Sequence, residues 1–311
     1  MLIAILLMDT GLKANTIFHI PKTQIMVRAI KVNVFIVCFF DVGFEYRKNK
    51  IRLYFRGLQL YYKKYGTVGQ PIVILHGLLG MGDNWLSIAQ KLAQNHILYV
   101  VDQRNHGKSF HSDGMNYELM AQDVHNLMTH EALENVILIG HSMGGKTAMM
   151  FANLYPHTLL KLIIVDIAPK QYRASHQHYF DAIKQINLHA TSRKEIEDKL
   201  VQTIQNKDEV LFLLKNLYRT ESGDFGIRFN LNAIENNYME IVKAIKFNSP
   251  IDIPTLFVKG HASDYILDGD CESIKSHFLN ATFETIENSG HWVHADNPIG
   301  FLTCITQFIN S

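Results

Sequence analysis

The sequence predicts a mixed α/β domain, a mostly parallel central sheet flanked by helices and interrupted once by an all-helical insert. Six β-rich apolar runs recur, each ending in a polar or glycine-containing turn: PIVILHG, ILYVVDQ, NVILIGHS, KLIIVDIAP, IPTLFVKG and ATFETIENSGH. Helical patterns separate the first four, so successive strands cross over through helices and run parallel. Between Pro169 and Pro250 this rhythm stops, and amphipathic helical segments follow one another instead.

The first fifty or so residues differ from the rest. MLIAILLM and VNVFIVCFF are apolar runs too short to span a bilayer, which needs about 20 such residues. The stretch from Met26 imitates a signal sequence, but no small-residue cleavage site follows it. Residues 1–52 are therefore read as an extension ahead of the domain, with a signal or anchor as the alternative. LQLYYKKYG then supplies an edge strand, expected to form an antiparallel hairpin with PIVILHG across the short GTVGQ turn. Helices are expected over Trp85–Gln94, Tyr117–Glu131 and Lys146–Leu154, the last ended by Pro156. Residues 53–169 and 250–311 make up the core. Residues 170–249 form the insert, with helices at FDAIKQI, KEIEDKLVQTI, DEVLFLLKNLY and LNAIENNYMEIVKAI. An insert between strands of a parallel sheet, connected at their carboxyl ends, lies where ligands bind and reads as a lid.

Composition narrows the function classes. A chain of 311 residues, 47% of them hydrophobic, can build an extensive core. Thirty basic against 29 acidic residues leave a net charge of +1, with no field to collect nucleic acid or an acidic membrane surface. Cys38, Cys271 and Cys304 form no CxxC pair, which fits a reducing, cytoplasmic setting better than a disulfide framework or a zinc site.

Gly140-His141-Ser142-Met143-Gly144 matches G-x-S-x-G between a strand and a helix, the context that pushes a serine hydroxyl out of a sheet on a strained turn. The start of the following helix stabilises negative charge developing there. Met143 N–H is one expected oxyanion donor. The second is the Leu78 N–H in HGLLG, whose His76 is expected to brace the loop. Of sixteen histidines, His291 in ENSGHWVH is the best-placed base, and His294 could share its loop. A metal reading of His291, His294 and Asp296 lacks a second ligand cluster. Two aspartates compete as the acid. Asp264 follows PTLFVK but stands one residue late, with Ser263 in the expected place, whereas Asp166 ends LIIVD beside the serine's strand and is preferred. Asp102 and Arg104, in DQRNHGKS, are read as tying their loop. Lid residues Phe180, Phe212, Leu213 and Tyr238 suggest an apolar acyl slot or plain helix core.

In this order HGLLG, DQRNHGKS, GHSMGGK, VDIAP and SGHWVHA resemble the YbfF-type esterases of the α/β-hydrolase superfamily, from about Leu53 to the last residue. The text Gly226-Ile227-Arg228-Phe229-Asn230-Leu231 is similar to that family's insert. The resemblance implies the α/β-hydrolase fold with a lid, Ser142 as nucleophile, His291 as base and Asp166 as acid. It also implies activity on short-chain acyl esters and on acyl thioesters such as acyl-CoA. The chain departs from the family in carrying Asp264 and the first fifty residues. Such chemistry needs no metal or organic cofactor. A carbon–carbon bond hydrolase on the same scaffold is the alternative, and neither acyl length nor oligomeric state is legible.

Overall fold

The computed structural model describes residues 59–311 in full. Before them it describes only the backbone of short strands paired as hairpins: Phe18–Ile20 with Thr23–Ile25, Arg28–Ile30 with Val34–Ile36, and Val42–Arg47 with Lys50–Phe55. Of the expected signal or anchor around residues 26–40, the structure describes only the backbone of the strands Arg28–Ile30 and Val34–Ile36; its other residues lie outside the described ones. The chain divides after residue 58, and the second unit is Gln59–Ser311.

The centre of this second unit is a seven-stranded sheet of β1 (Tyr62–Tyr65), β2 (Pro71–Leu75), β3 (Ile97–Val101), β4 (Val136–His141), β5 (Leu159–Val165), β6 (Thr255–Gly260) and β7 (Ala281–Ile286). The spatial order is β7-β6-β5-β4-β2-β3-β1. Every neighbouring pair is parallel except β1 with β3, where Tyr62 faces Val101. The hairpin expected between β1 and β2 does not form. Both edges of β2 are filled by parallel ladders to β3 and β4, so β1 steps across to the free edge of β3.

The apolar runs are continuous rather than alternating because both faces of the sheet are covered. Val73, Leu75, Val136 and Leu138 pack toward α2 (Tyr117–His130) and α3 (Met143–Leu154). Ile72, Ile74, Ile137 and Ile139 pack with Ile88 and Leu92 of α1 (Leu86–Leu92) on the opposite face. All six residues of β4 are buried, which makes it the most enclosed strand and a rigid base for the turn at its end.

Between β5 and β6 lie α4 (Gln177–Lys184), α5 (Arg193–Thr203), α6 (Lys207–Leu214), α7 (Leu231–Asn236) and α8 (Tyr238–Val242). Ser192, Asn206 and Asn230 cap α5, α6 and α7, each side chain accepting a backbone N–H of the first turn. The insert expected to be all-helical also contains an antiparallel ribbon, Leu217–Arg219 with Phe225–Ile227, closed through Thr220 to Asp224. Its strands are three residues each, too short to leave a period in the sequence. LNAIENNYMEIVKAI breaks into two helices at Asn237, whose side chain turns back to Ala233 O and to Asp113 O. The chain ends with α9 (Asp270–His277), α10 (Val293–Asp296) and α11 (Pro298–Asn310), and α11 buries Phe301, Ile305 and Ile309 against the α1 face of the sheet. Among the described residues no helix is long and apolar enough to cross a membrane.

Candidate active site

Ser142 follows β4 without a break and stands just before α3, with φ 52° and ψ −117°. A positive φ costs a residue with a side chain about 1–3 kcal/mol, so the surroundings must impose it. They do so from both sides: Ser142 N donates to Val165 O at 3.0 Å, and Lys146 N donates to Ser142 O at 3.1 Å. Gly144 lets α3 start against the end of β2, where an added Cβ would come 2.4 Å from Leu75 O and 2.5 Å from His76 O. The hydroxyl is thus held at the carboxyl edge of the sheet, over a helix N-terminus.

His291 stands on the loop between β7 and α10. Its Nε2 lies 3.0 Å from Ser142 Oγ and its Nδ1 lies 2.7 Å from Asp166 Oδ2. A carboxylate can only accept, so Nδ1 carries the ring proton and Nε2 offers its lone pair to the serine hydroxyl. Asp166 is fully buried just beyond β5, at φ 50°. Its carboxylate accepts from Gly260 N at 3.0 Å and from Ser263 Oγ as well as from His291. The His291 loop closes on the end of β6 because Gly260 has no side chain; a Cβ there would lie 2.1 Å from Gly290 O. Asp264 is exposed on the rim of the adjoining cavity, and the carboxylate beside His291 is that of Asp166.

Three of the groups that hold the imidazole, Tyr265, Tyr172 and His141, were not singled out by the sequence. Tyr265 stacks on His291 with ring centres 3.7 Å apart and planes 15° from parallel. Tyr172 OH accepts from Ala168 N and donates to Tyr265 O, linking the segment after Asp166 to that stack. The buried His141 donates from Nε2 to His291 O at 2.7 Å. Its pKa is pushed well below the usual range, first by burial and then by His291 and His294. His294 stacks flat on Trp85 at 3.9 Å, bracing the same loop from the other side, and burial lowers its pKa to about 3. Ser263, standing in the place where the usual spacing would put an acid, donates to the Asp166 carboxylate.

Leu78 and Met143 both border the space over Ser142. Met143 opens α3, so its N–H has no partner four residues back within the helix. Leu79 N and Gly80 N are taken by His106 Nε2 and Gly77 O, and Leu78 is the residue of that turn that borders both cavities at the serine. His76 braces the turn: Nε2 accepts from Gln103 N at 3.0 Å and Nδ1 donates to Gly77 O at 2.8 Å. Asp102 accepts from Gly82 N and Lys108 N, whereas Arg104 pairs with Asp123, at 2.6 Å and 2.8 Å, rather than with Asp102.

Two cavities meet at Ser142. The first, about 430 Å³, runs past Met143, Lys146, Ile167, Tyr172 and Tyr238. The second, about 180 Å³, is bounded by Leu79, Phe212, Leu213, Trp292 and His291. Leu78, Ser142, His176 and Tyr265 border both. Of the insert residues singled out from the sequence, Phe212, Leu213 and Tyr238 border these spaces, and Phe180 is buried in the insert's own packing against Tyr238. Lys146, unremarked in GHSMGGK, is buried under the first cavity and donates to Lys243 O at the end of α8. Desolvation lowers its pKa to about 7.

The family profile for the alpha/beta hydrolase fold matches residues 70–298. Esterase YbfF of Escherichia coli is 34% identical over 242 residues, covering 77% of this chain and 93% of that protein. The sn-1-specific diacylglycerol lipase ABHD11 of Danio rerio is 36% identical over 248 residues, 77% of this chain and 78% of its own. A solved structure described as a marine microorganism esterase superposes with a TM-score of 0.79 at 44% identity, covering 81% of this chain and 99% of that one.

Proposed function

The chain belongs to the α/β-hydrolase family, and from that membership and the site geometry we propose that it is a carboxylic ester hydrolase working through a serine acyl-enzyme. One observation carries this reading: a single imidazole bridges Ser142 Oγ at 3.0 Å and the buried Asp166 carboxylate at 2.7 Å. The esterase and lipase names borne by the relatives agree with it.

In the proposed reaction Ser142 Oγ attacks the acyl carbonyl carbon as His291 Nε2 takes its proton, and Asp166 steadies the imidazolium. The carbonyl oxygen, now an anion, is met by the Leu78 and Met143 N–H groups. The tetrahedral adduct expels the alcohol or thiol, which takes the proton from His291. The leaving group therefore lies in the cavity bordered by His291 and Trp292, and the acyl chain lies in the larger one over Met143 and Ile167. A water deprotonated by His291 then attacks the acyl-enzyme and frees the acid. The acyl cavity, about 430 Å³, falls within the range of small-molecule sites and suits short or medium acyl groups. Thioesters such as acyl-CoA undergo the same steps, with sulfur as the leaving atom.

Hydrolysis of graded p-nitrophenyl acyl esters and acyl-CoA thioesters by the wild-type chain and by Ser142→Ala tests this. Loss of the nucleophile is expected to reduce kcat by about a million-fold. Undiminished turnover in Ser142→Ala would falsify the assignment.

A further inference from the structure

His176, the residue just before α4, borders both cavities at their junction over Ser142. Its protonation state follows from its partners. Tyr238 OH accepts from Ser175 N at 3.1 Å and from His176 N at 3.0 Å, which uses both oxygen lone pairs. The phenolic hydrogen is then left for His176 Nδ1, with which the same oxygen is in contact. A ring whose Nδ1 accepts carries its one proton on Nε2. Burial, together with repulsion from His291 and His178, holds the His176 pKa down to about 4, so the ring is neutral at ordinary pH. The lid thus fixes one N–H donor at the wall that acyl and leaving groups share.

The ester unit already has partners for both its oxygens. The carbonyl oxygen faces the Leu78 and Met143 amides, and the bridging oxygen faces His291 Nε2. On the acyl side Arg173, Ser175 and Asp264 border the larger cavity. The leaving-group cavity is walled by Leu79, Phe212, Leu213 and Trp292 together with Tyr179 and Glu209, whose carboxylate is itself an acceptor and disfavours a second acceptor on that side. Resting on the ester-hydrolase reading, we infer that His176 Nε2–H is a substrate-binding donor that selects acyl groups carrying an oxygen acceptor close to the scissile carbonyl, such as alkoxyacyl or oxoacyl esters, over plain alkanoyl esters.

The test compares p-nitrophenyl methoxyacetate with p-nitrophenyl butanoate, equal in length and differing by an oxygen in place of a methylene. For each ester kcat/KM is divided by its own hydroxide-catalysed rate constant, which removes the difference in intrinsic reactivity. The resulting methoxyacetate preference is measured for the full chain and for His176→Phe, His176→Gln and Tyr238→Phe. His176→Phe is expected to lower it about fivefold to tenfold, the worth of one neutral hydrogen bond. His176→Gln, which keeps a side-chain N–H, retains part of it. Tyr238→Phe, which frees the ring to take the other tautomer, lowers it about two- to threefold. A preference unchanged in His176→Phe, or in Tyr238→Phe should the first variant not fold, overturns the inference, as does an equal loss for both esters. Failure of the ester-hydrolase reading looks different: the wild-type chain then hydrolyses neither ester.

Discussion

The ends of β4, β5 and β7 and the lid beside them meet at one site, yet they are built by different means. At the sheet the proposed reacting groups stand on backbone tied by main-chain hydrogen bonds, and Ser142 and Asp166 both hold positive φ. The Arg104–Asp123 charge pair of the core is buried and bidentate. In the lid the helices run from 5 to 11 residues, and α5, α6 and α7 start at side-chain caps. Lid ion pairs stand in solvent: Lys184 with Glu235, Lys194 with Asp198, and Lys243 with Glu240. By this contrast the chemistry is assigned to rigid backbone whose strain the core can sustain. Selectivity is assigned to short helices that can be repacked at little cost.

That division is tested most directly at the acid. Asp166→Asn removes the group that fixes the His291 tautomer and is expected to lower kcat about ten-thousand-fold, whereas Asp264→Asn on the rim changes it less than about twofold. A larger loss in Asp264→Asn would move the chemistry off the sheet.

Acid should likewise act on the core. His76 is buried, with its pKa depressed from 6.5 to about 4 by desolvation. Below pH 6.5 the unfolded chain takes up a proton that the folded one refuses. The stability is therefore complete above about pH 6.5 and is lost as pH falls toward 4, by on the order of 3 kcal/mol from this residue. Urea unfolding between about pH 7 and pH 4 should show this slope, and a shallower one in His76→Gln. A slope identical in the two proteins would mean that His76 takes up its proton in the folded state.

Lesser effects belong to the lid. Phe212→Ala, which opens the leaving-group cavity beside Trp292, is expected to raise KM about tenfold for esters of bulky alcohols with kcat little changed, as steady-state kinetics would read. A fall in kcat with KM constant would instead assign Phe212 to the chemistry. Least of all, Lys184→Ala removes a half-exposed partner of Glu235 and should cost less than about 1 kcal/mol by thermal unfolding. A greater cost would mean that the lid is held as stiffly as the core.

Local features were legible along the chain. Apolar runs marked the sheet strands after β1, and the strand–serine–helix text marked the elbow, because side-chain burial and turn chemistry act between near neighbours. The side chains that meet across the site were a different matter. Asp166 lies 125 positions from His291 and could be preferred over Asp264 only by rank, since both follow a strand. In the structure β5 lies between β4 and β6, so the end of β5 reaches the loop after β7, with Gly260 and Ser263 closing around the Asp166 carboxylate. The same order placed β1 on β3 instead of β2. The Tyr265 stack on His291 and the His176–Tyr238 contact lay equally beyond the sequence, because hydrogen bonds and ring contacts between distant segments leave no period along the chain and exist only once the sheet and lid have closed on one another.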